Sequence, residues 1–323
     1  MIKTPRYGLL LLLLTAWLIG CTTQSTVPPT TPDGQALPTR HLITTLPFFP
    51  QQAFQCGPAA LATLLVFQDI DITPEELIDQ VYLPARQGSL QIELLASARQ
   101  RGLIPYPLET HQQLLQEVAA GHPVLVFQNL GLSLQPVWHF AVISGYDLEQ
   151  RVFYLNSGTR QNHVTDFSTF HHTWQRGGNW AWLLLPPDQL PVSTELTTSL
   201  KAIHQLELAG QPEIAATAYQ VSMLRWPEAP LPRLLLANIE YQLERPARVA
   251  ELLNEALLLE PGLVAAWHNF GQVLTQHTEC KAEAARALSC AARLQGREDT
   301  NLMEKQSHGN CPLKTPPACP AGD

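Results

Sequence analysis

The chain has 323 residues and a net charge of −8, from 20 Lys and Arg against 28 Asp and Glu. At roughly 150 residues per domain this length predicts two folded units, and a content of 45% hydrophobic and 15% charged residues excludes wholesale disorder. No basic run is long enough to follow a phosphate backbone, so nucleic acid is not expected as a partner.

Lys3 and Arg6 precede an apolar run from Leu9 to Ile19, the layout of a signal peptide. The stretch from Gly8 to Gly20 is shorter than the roughly 20 residues that a bilayer-spanning helix needs. Its end, Leu18-Ile19-Gly20-Cys21, resembles a bacterial lipobox. That resemblance implies cleavage after residue 20, acylation of the Cys21 sulfur and attachment to a membrane surface through lipid. Thr22 follows Cys21 where an Asp would mark inner-membrane retention, so the expected site is the outer membrane, facing the periplasm. Residues 21–40 are rich in Thr, Pro, Ser and Gln without apolar periodicity, and read as a flexible tether.

A first domain is expected over residues 41–190. Cys56 to Phe67 is apolar on nearly every side, which predicts a buried helix. Gly57 permits a tight entry and Pro58 suits the first turn, so Cys56 falls at the helix start, where the macrodipole favours an anion. That position is expected to lower the thiol pKa and prepare a nucleophile. Thr73-Pro74-Glu75-Glu76 predicts a second helix start, with Thr73 as cap and Glu76 closing a capping box. Val124–Phe127 and Trp180–Leu185 read as core strands.

A cysteine nucleophile needs a base, and His139 opens the apolar strand Trp138 to Asp147. The next strand, Arg151 to Leu155, leads into Asn156-Ser157-Gly158, and the short connection between them predicts an antiparallel hairpin. His139 and Asn156 then lie at its open end, while Asp147 sits at the turn tip, too far along the strand to orient the imidazole. Asn156 is therefore expected to accept a hydrogen bond from His139. Oxyanion donors would come from a glutamine side chain and the backbone N–H of Cys56; Gln51, Gln52 and Gln55 all precede the thiol. Together with an antiparallel sheet facing the Cys56 helix, these elements predict an α+β domain.

The segments Gln51-x4-Cys56-Gly57-Pro58-Ala59-Ala60, Trp138-His139-Phe140-Ala141-Val142-Ile143-Ser144-Gly145-Tyr146-Asp147 and Phe153-Tyr154-Leu155-Asn156-Ser157-Gly158 resemble the papain-like cysteine peptidases of the bacteriocin-processing, double-glycine type. The resemblance spans about residues 43–187. It implies Cys56 as nucleophile, His139 as general base and acid, Asn156 as orienter and Gln51 as oxyanion donor. Asn156 stands where the family commonly has Asp, and the Gln51–Cys56 spacing is one residue shorter than usual. The family's transporters carry a nucleotide-binding cassette; this chain lacks the GxxxxGK[ST] phosphate loop, so leader removal coupled to export is not implied. No Cys or carboxylate completes a ligand spacing around His163, His171 and His172, so neither a metal nor a cofactor is expected.

Pro186-Pro187 and the Ser/Thr cluster 193–199 mark a boundary. Beyond it, Pro212 and Pro246 are separated by the same 34 residues as Pro227 and Pro261, which is the tetratricopeptide period. Trp267, Phe270 and Gly271 match the first-helix pattern of that repeat. Residues 191–295 are therefore expected to form an all-α array of three repeats, serving as a surface for a peptide or protein partner or as a buttress for the first domain. With Cys21 and Cys56 assigned, four of the six cysteines remain. In an oxidising compartment Cys280, Cys290, Cys311 and Cys319 allow two disulfides in three pairings. Residues 296–323 form a polar tail, mobile unless a disulfide ties it down.

The function these features predict is a lipid-anchored periplasmic cysteine peptidase, cleaving peptide bonds through an acyl-enzyme. The alternative is a non-catalytic module that recruits a protein partner.

Overall fold

A computed structural model describes residues 29–51, 55–86, 88–297 and 311–320. The expected signal peptide, Cys21 and Gln52 lie outside the described residues. No helix among the described residues is long and apolar enough to cross a membrane.

The first part of the chain contains β1 (Arg40–Leu42), α1 (Cys56–Phe67), α2 (Pro74–Val81), β2 (Tyr82–Leu83), β3 (Gly88–Ser89), α3 (Gln91–Gln100), β4 (Ile104–Pro107), α4 (His111–Ala119), β5 (Val124–Asn129), β6 (Trp138–Asp147), β7 (Val152–Ser157), β8 (Arg160–Asp166), α5 (Phe167–Arg176) and β9 (Ala181–Leu185). Seven strands form an antiparallel sheet in the order β4-β9-β5-β6-β7-β8, with β1 also pairing with β6. β2 and β3 make a separate hairpin.

The apolar sequence of α1 has its expected consequence, since every residue from Gly57 to Leu65 is buried. The helix packs on the sheet face that carries Leu125, Phe127, Phe140, Val142 and Leu184. The capping box over Thr73 and Glu76 forms as expected: the Glu76 carboxylate accepts from Thr73 N at 2.8 Å and Thr73 Oγ1 accepts from Glu76 N at 3.4 Å.

One irregularity governs the site. Near its turn the β6–β7 ladder pairs Tyr146 with Phe153 and Gly145 with Tyr154, but after a bulge at Ser144 it pairs Ile143 with Leu155 and Val142 with Asn156. The extra residue exchanges the two faces of β6 along its length. Tyr146 on one side of the bulge, and Ala141 and Ile143 on the other, therefore all enter one core together with Phe153 and Leu155.

Residues 29–40, expected to belong to a flexible tether, are ordered against the domain. Leu37 is buried, and Thr30 O accepts hydrogen bonds at 2.7 Å from both Gln112 and Gln116 of α4. Residues 29–40 thus lie against the domain, because Leu37 supplies apolar area and α4 supplies amide donors.

Six helices follow: α6 (Leu196–Leu208), α7 (Pro212–Arg225), α8 (Leu231–Gln242), α9 (Pro246–Leu259), α10 (Val264–Thr275) and α11 (Lys281–Leu294). The prolines at the expected period open α7 and α9, where a missing N–H costs nothing. Tyr219, Trp267 and Phe270 are fully buried between the helices, and Trp267 Nε1 donates to Pro261 O at 2.7 Å. The helical part shares one continuous core with the sheet face opposite α1, running from Ile104 and Tyr106 through Leu200 and Leu206 to Cys290. Gln211 Nε2 donates to Arg99 O at 2.6 Å across the junction.

Of the three possible pairings, the described cysteines adopt Cys280–Cys311 and Cys290–Cys319. Residues 311–320 are thereby held against the last helices, with Leu313 packed on the core. This part of the tail is tied down.

Candidate active site

Cys56, His139 and Gln51 line one cavity of about 1100 Å³. Its other walls come from β3 and the start of α3 (Gly88, Ser89, Leu90, Gln91), the β5–β6 region (Phe127, Pro136, Val137, Trp138, Phe140) and the end of α5 with the following turn (Arg176, Gly177, Gly178).

Cys56 is the free cysteine among the described residues and sits at the first position of α1. Burial pushes its thiol pKa up, while backbone hydrogen bonds from Phe140, Gly57 and Cys56 itself act in the opposite direction. The helix start alone was expected to lower this pKa. The net rise arises because desolvation of the thiolate at this depth exceeds what the local N–H groups return. The backbone of Phe140, the residue that follows His139, is thus one of the groups that favour the thiolate.

Gly57 is required here by space. A Cβ at position 57 would collide with the Ser89 hydroxyl, so the β2–β3 hairpin can close over the helix start only because residue 57 has no side chain. The Ser89 hydroxyl itself is buried without a partner.

Burial lowers the His139 pKa to about 4, so the imidazole is neutral at pH 7 and can accept a proton. Its Nε2 lies 2.8 Å from Ser157 Oγ. Asn156, expected to hold His139, is not brought to it. The Asn156 side chain donates to Pro47 O at 3.2 Å and accepts from Asn162 N at 3.1 Å. The bulge explains the exchange. Asn156 stands opposite Val142, on the α1 side of the sheet, whereas Ser157 shares the face of Leu155 and hence of Ala141 and His139. With the uninterrupted register of the turn end, Asn156 would pair with Ile143 and share the His139 face.

Asp147 stays at the hairpin turn as expected, accepting from Gln150 N at 2.8 Å. Of the glutamines, Gln51 lines the Cys56 cavity and is anchored by its N–H to Gly158 O at 3.0 Å. Gln55 instead lines a smaller cavity beside Thr73 and Glu75. Among the described residues, no group of three or more His, Cys, Asp and Glu could hold a metal ion.

Residues 43–181 match the sequence profile of the family described as "Peptidase_C39 like family", so this part of the chain is a Peptidase C39-like domain, and cysteine peptidase function is supported at the level of that family. No curated protein matches the chain. Solved structures with similarity include a C39-like peptidase from Bacillus anthracis, at 17% identity over 45% of this chain and 97% of that one, TM-score 0.38. A double glycine motif protease from an AMS/PCAT transporter, in complex with the leader peptide, shares 22% identity over 44% of this chain and 95% of its own, TM-score 0.34. The peptidase domain of Streptococcus ComA, a bi-functional ABC transporter involved in quorum sensing, shares 19% over 44% and 98%, TM-score 0.36.

Proposed function

We propose that the protein is a cysteine peptidase in which Cys56 attacks a peptide carbonyl and His139 takes the thiol proton, then gives it to the leaving amine. The observation that carries this reading is the convergence of Cys56, His139 and Gln51 on one cavity. A raised thiol pKa and a neutral imidazole lining the same cavity favour an uncharged resting state, in which proton transfer to His139 accompanies attack on the substrate. The Cys56 N–H and the Gln51 side chain are the donors for the oxyanion. Water then hydrolyses the acyl-enzyme, with His139 as base. Ser157 is a positioning residue, holding the far nitrogen of His139 in the place proposed from sequence for Asn156.

The anchor and compartment belong to the same proposal. The lipobox ending in Cys21 supports lipid attachment at the outer membrane, facing the periplasm, and the disulfides Cys280–Cys311 and Cys290–Cys319 fit an oxidising compartment. The 34-residue spacing of Pro212 and Pro246, both at helix starts, supports tetratricopeptide-type repeats that bind a partner or substrate.

The test is incubation of the purified protein with a mixed peptide pool, reading new termini by mass spectrometry. Cleavage by the wild type that is lost in both Cys56→Ala and His139→Ala is expected. A pool left intact by wild type, or cut equally by Cys56→Ala, removes the peptidase reading and favours a module that recruits a protein partner.

A further inference from the structure

Arg176 is the one charged side chain among the described residues lining the Cys56 cavity, where His139 is neutral and no carboxylate is present. It closes α5, and the turn after it is pressed onto β5, where a Cβ at Gly177 would collide with Phe127 O. That contact fixes where the end of α5 stands against β5. The Arg176 Nη2 donates to Asn129 O at 3.1 Å, while its Nε is buried without a partner. No ion pair involving Arg176 occurs among the described residues.

A guanidinium offers five donors in a planar fork matched to a carboxylate. Holding one inside a cavity with a single hydrogen bond and no counter-charge leaves most of that capacity unused, at a desolvation cost. Asn129 joins this anchor to the cavity lip, because its side-chain oxygen accepts from Gly131 N at 3.0 Å and Val137 N at 2.9 Å. On that lip Val137 is 55% and Trp138 52% exposed, with Trp138 stacked on Phe127 at 5.3 Å. The cavity thus places an apolar surface next to an unneutralised cation.

We propose that Arg176 determines specificity by binding a carboxylate of the peptide substrate, with an apolar side chain of the same peptide lying against Val137 and Trp138. The carboxylate is either the peptide's C-terminus or the side chain of an Asp or Glu. The inference rests on the peptidase reading for its setting, but it is tested by binding alone.

The full chain carrying Cys56→Ala is titrated by fluorescence anisotropy with four labelled peptides of common sequence ending in Leu. They are the free acid, the C-terminal amide, the amide with an internal Glu, and the amide with Gln in its place. At least one acidic peptide is expected to bind about tenfold or more tighter than its neutral twin, as charge-assisted hydrogen bonds allow. Preference for the free acid assigns the C-terminus, and preference for Glu over Gln assigns the side chain. Arg176→Gln is expected to abolish the preference while leaving the neutral peptides within about twofold. Arg176→Lys, which keeps the charge and loses the fork, is expected to retain a reduced preference that weakens with salt. Equal binding of acidic and neutral peptides, failure of all four to bind, or a preference that survives Arg176→Gln overturns the proposal. Wild-type protein is assayed for cleavage of the same four peptides. A preserved acidic preference without cleavage counts against the peptidase reading and leaves the carboxylate site standing.

Discussion

Placing a carboxylate at position 157 should convert the uncharged Cys56–His139 pair into one closer to an ion pair. Ser157 Oγ lies 2.8 Å from His139 Nε2, and burial holds that imidazole at a pKa of about 4. In Ser157→Asp a unit negative charge would stand about 4 Å from the imidazolium, worth about 4 kcal/mol at an effective dielectric of ~20. At 1.36 kcal/mol per pKa unit that is about 3 units. Desolvation of the new carboxylate takes back roughly half, leaving His139 near 5 to 6 and correspondingly favouring the thiolate. The assay is iodoacetamide alkylation of Cys56 across pH 5 to 9, read by peptide mass, with His139 titrated in parallel by NMR. At pH 6 the alkylation rate should rise about tenfold or more, and His139→Ala in the same background should cancel the gain. Asn156→Asp puts the same charge on the α1 side of the sheet, away from His139, and should not accelerate alkylation. If Asn156→Asp accelerates alkylation and Ser157→Asp does not, the assignment of Ser157 as the partner of His139 is refuted.

Stability should fall on acidification through buried histidines. Burial lowers both His111 and His139 to about 4, so between their ordinary value and pH 4 the unfolded chain binds protons that the native chain excludes. Stability therefore rises with pH across this window, with about 2 kcal/mol at most lost per histidine between pH 7 and pH 5. Urea melts at the two pH values check this, and His111→Phe, at a ring packed 4.9 Å from Phe153 and 4.8 Å from Phe167, should flatten the dependence. Gly57→Val should drive the Ser89 hairpin away from the helix start, costing about 1–3 kcal/mol by overpacking and abolishing cleavage; unchanged activity would show that the close approach is unnecessary. Trp267→Ala empties a buried site and removes a hydrogen bond, so a loss of about 3–5 kcal/mol is expected in chemical denaturation.

Much of this architecture was legible because it depends on local rules. The continuous apolar run of α1, the Thr73 capping box and the His139 strand each follow from residues close in sequence, and the proline spacing located two helix starts beyond residue 191. The third member of the site was not legible, because it depends on one inserted residue in a ladder. The turn at Asp147–Gln150 sets a register in which Asn156 belongs with His139. The bulge at Ser144 reverses that assignment, and no propensity at Ser144 announces it, although Gly145 offers a hint: a Cβ there would meet His41 O on β1. The thiol pKa escaped for a related reason. Helix position can be read from sequence, whereas the depth of the sulfur depends on how β3 and β6 close over it.

The segment 311–320 bears on how the last helices are covered. An array of stacked helices exposes at its last unit the same kind of apolar flank that its internal units bury, and such a flank invites another chain to add on. Here Leu313 and the two half-cystines pack onto the terminal helices, fastened at Cys280 and Cys290. The chain thus covers that flank itself, and the fasteners hold only under oxidising conditions. A thiol reductant would release this segment and uncover the apolar flank of the last helices.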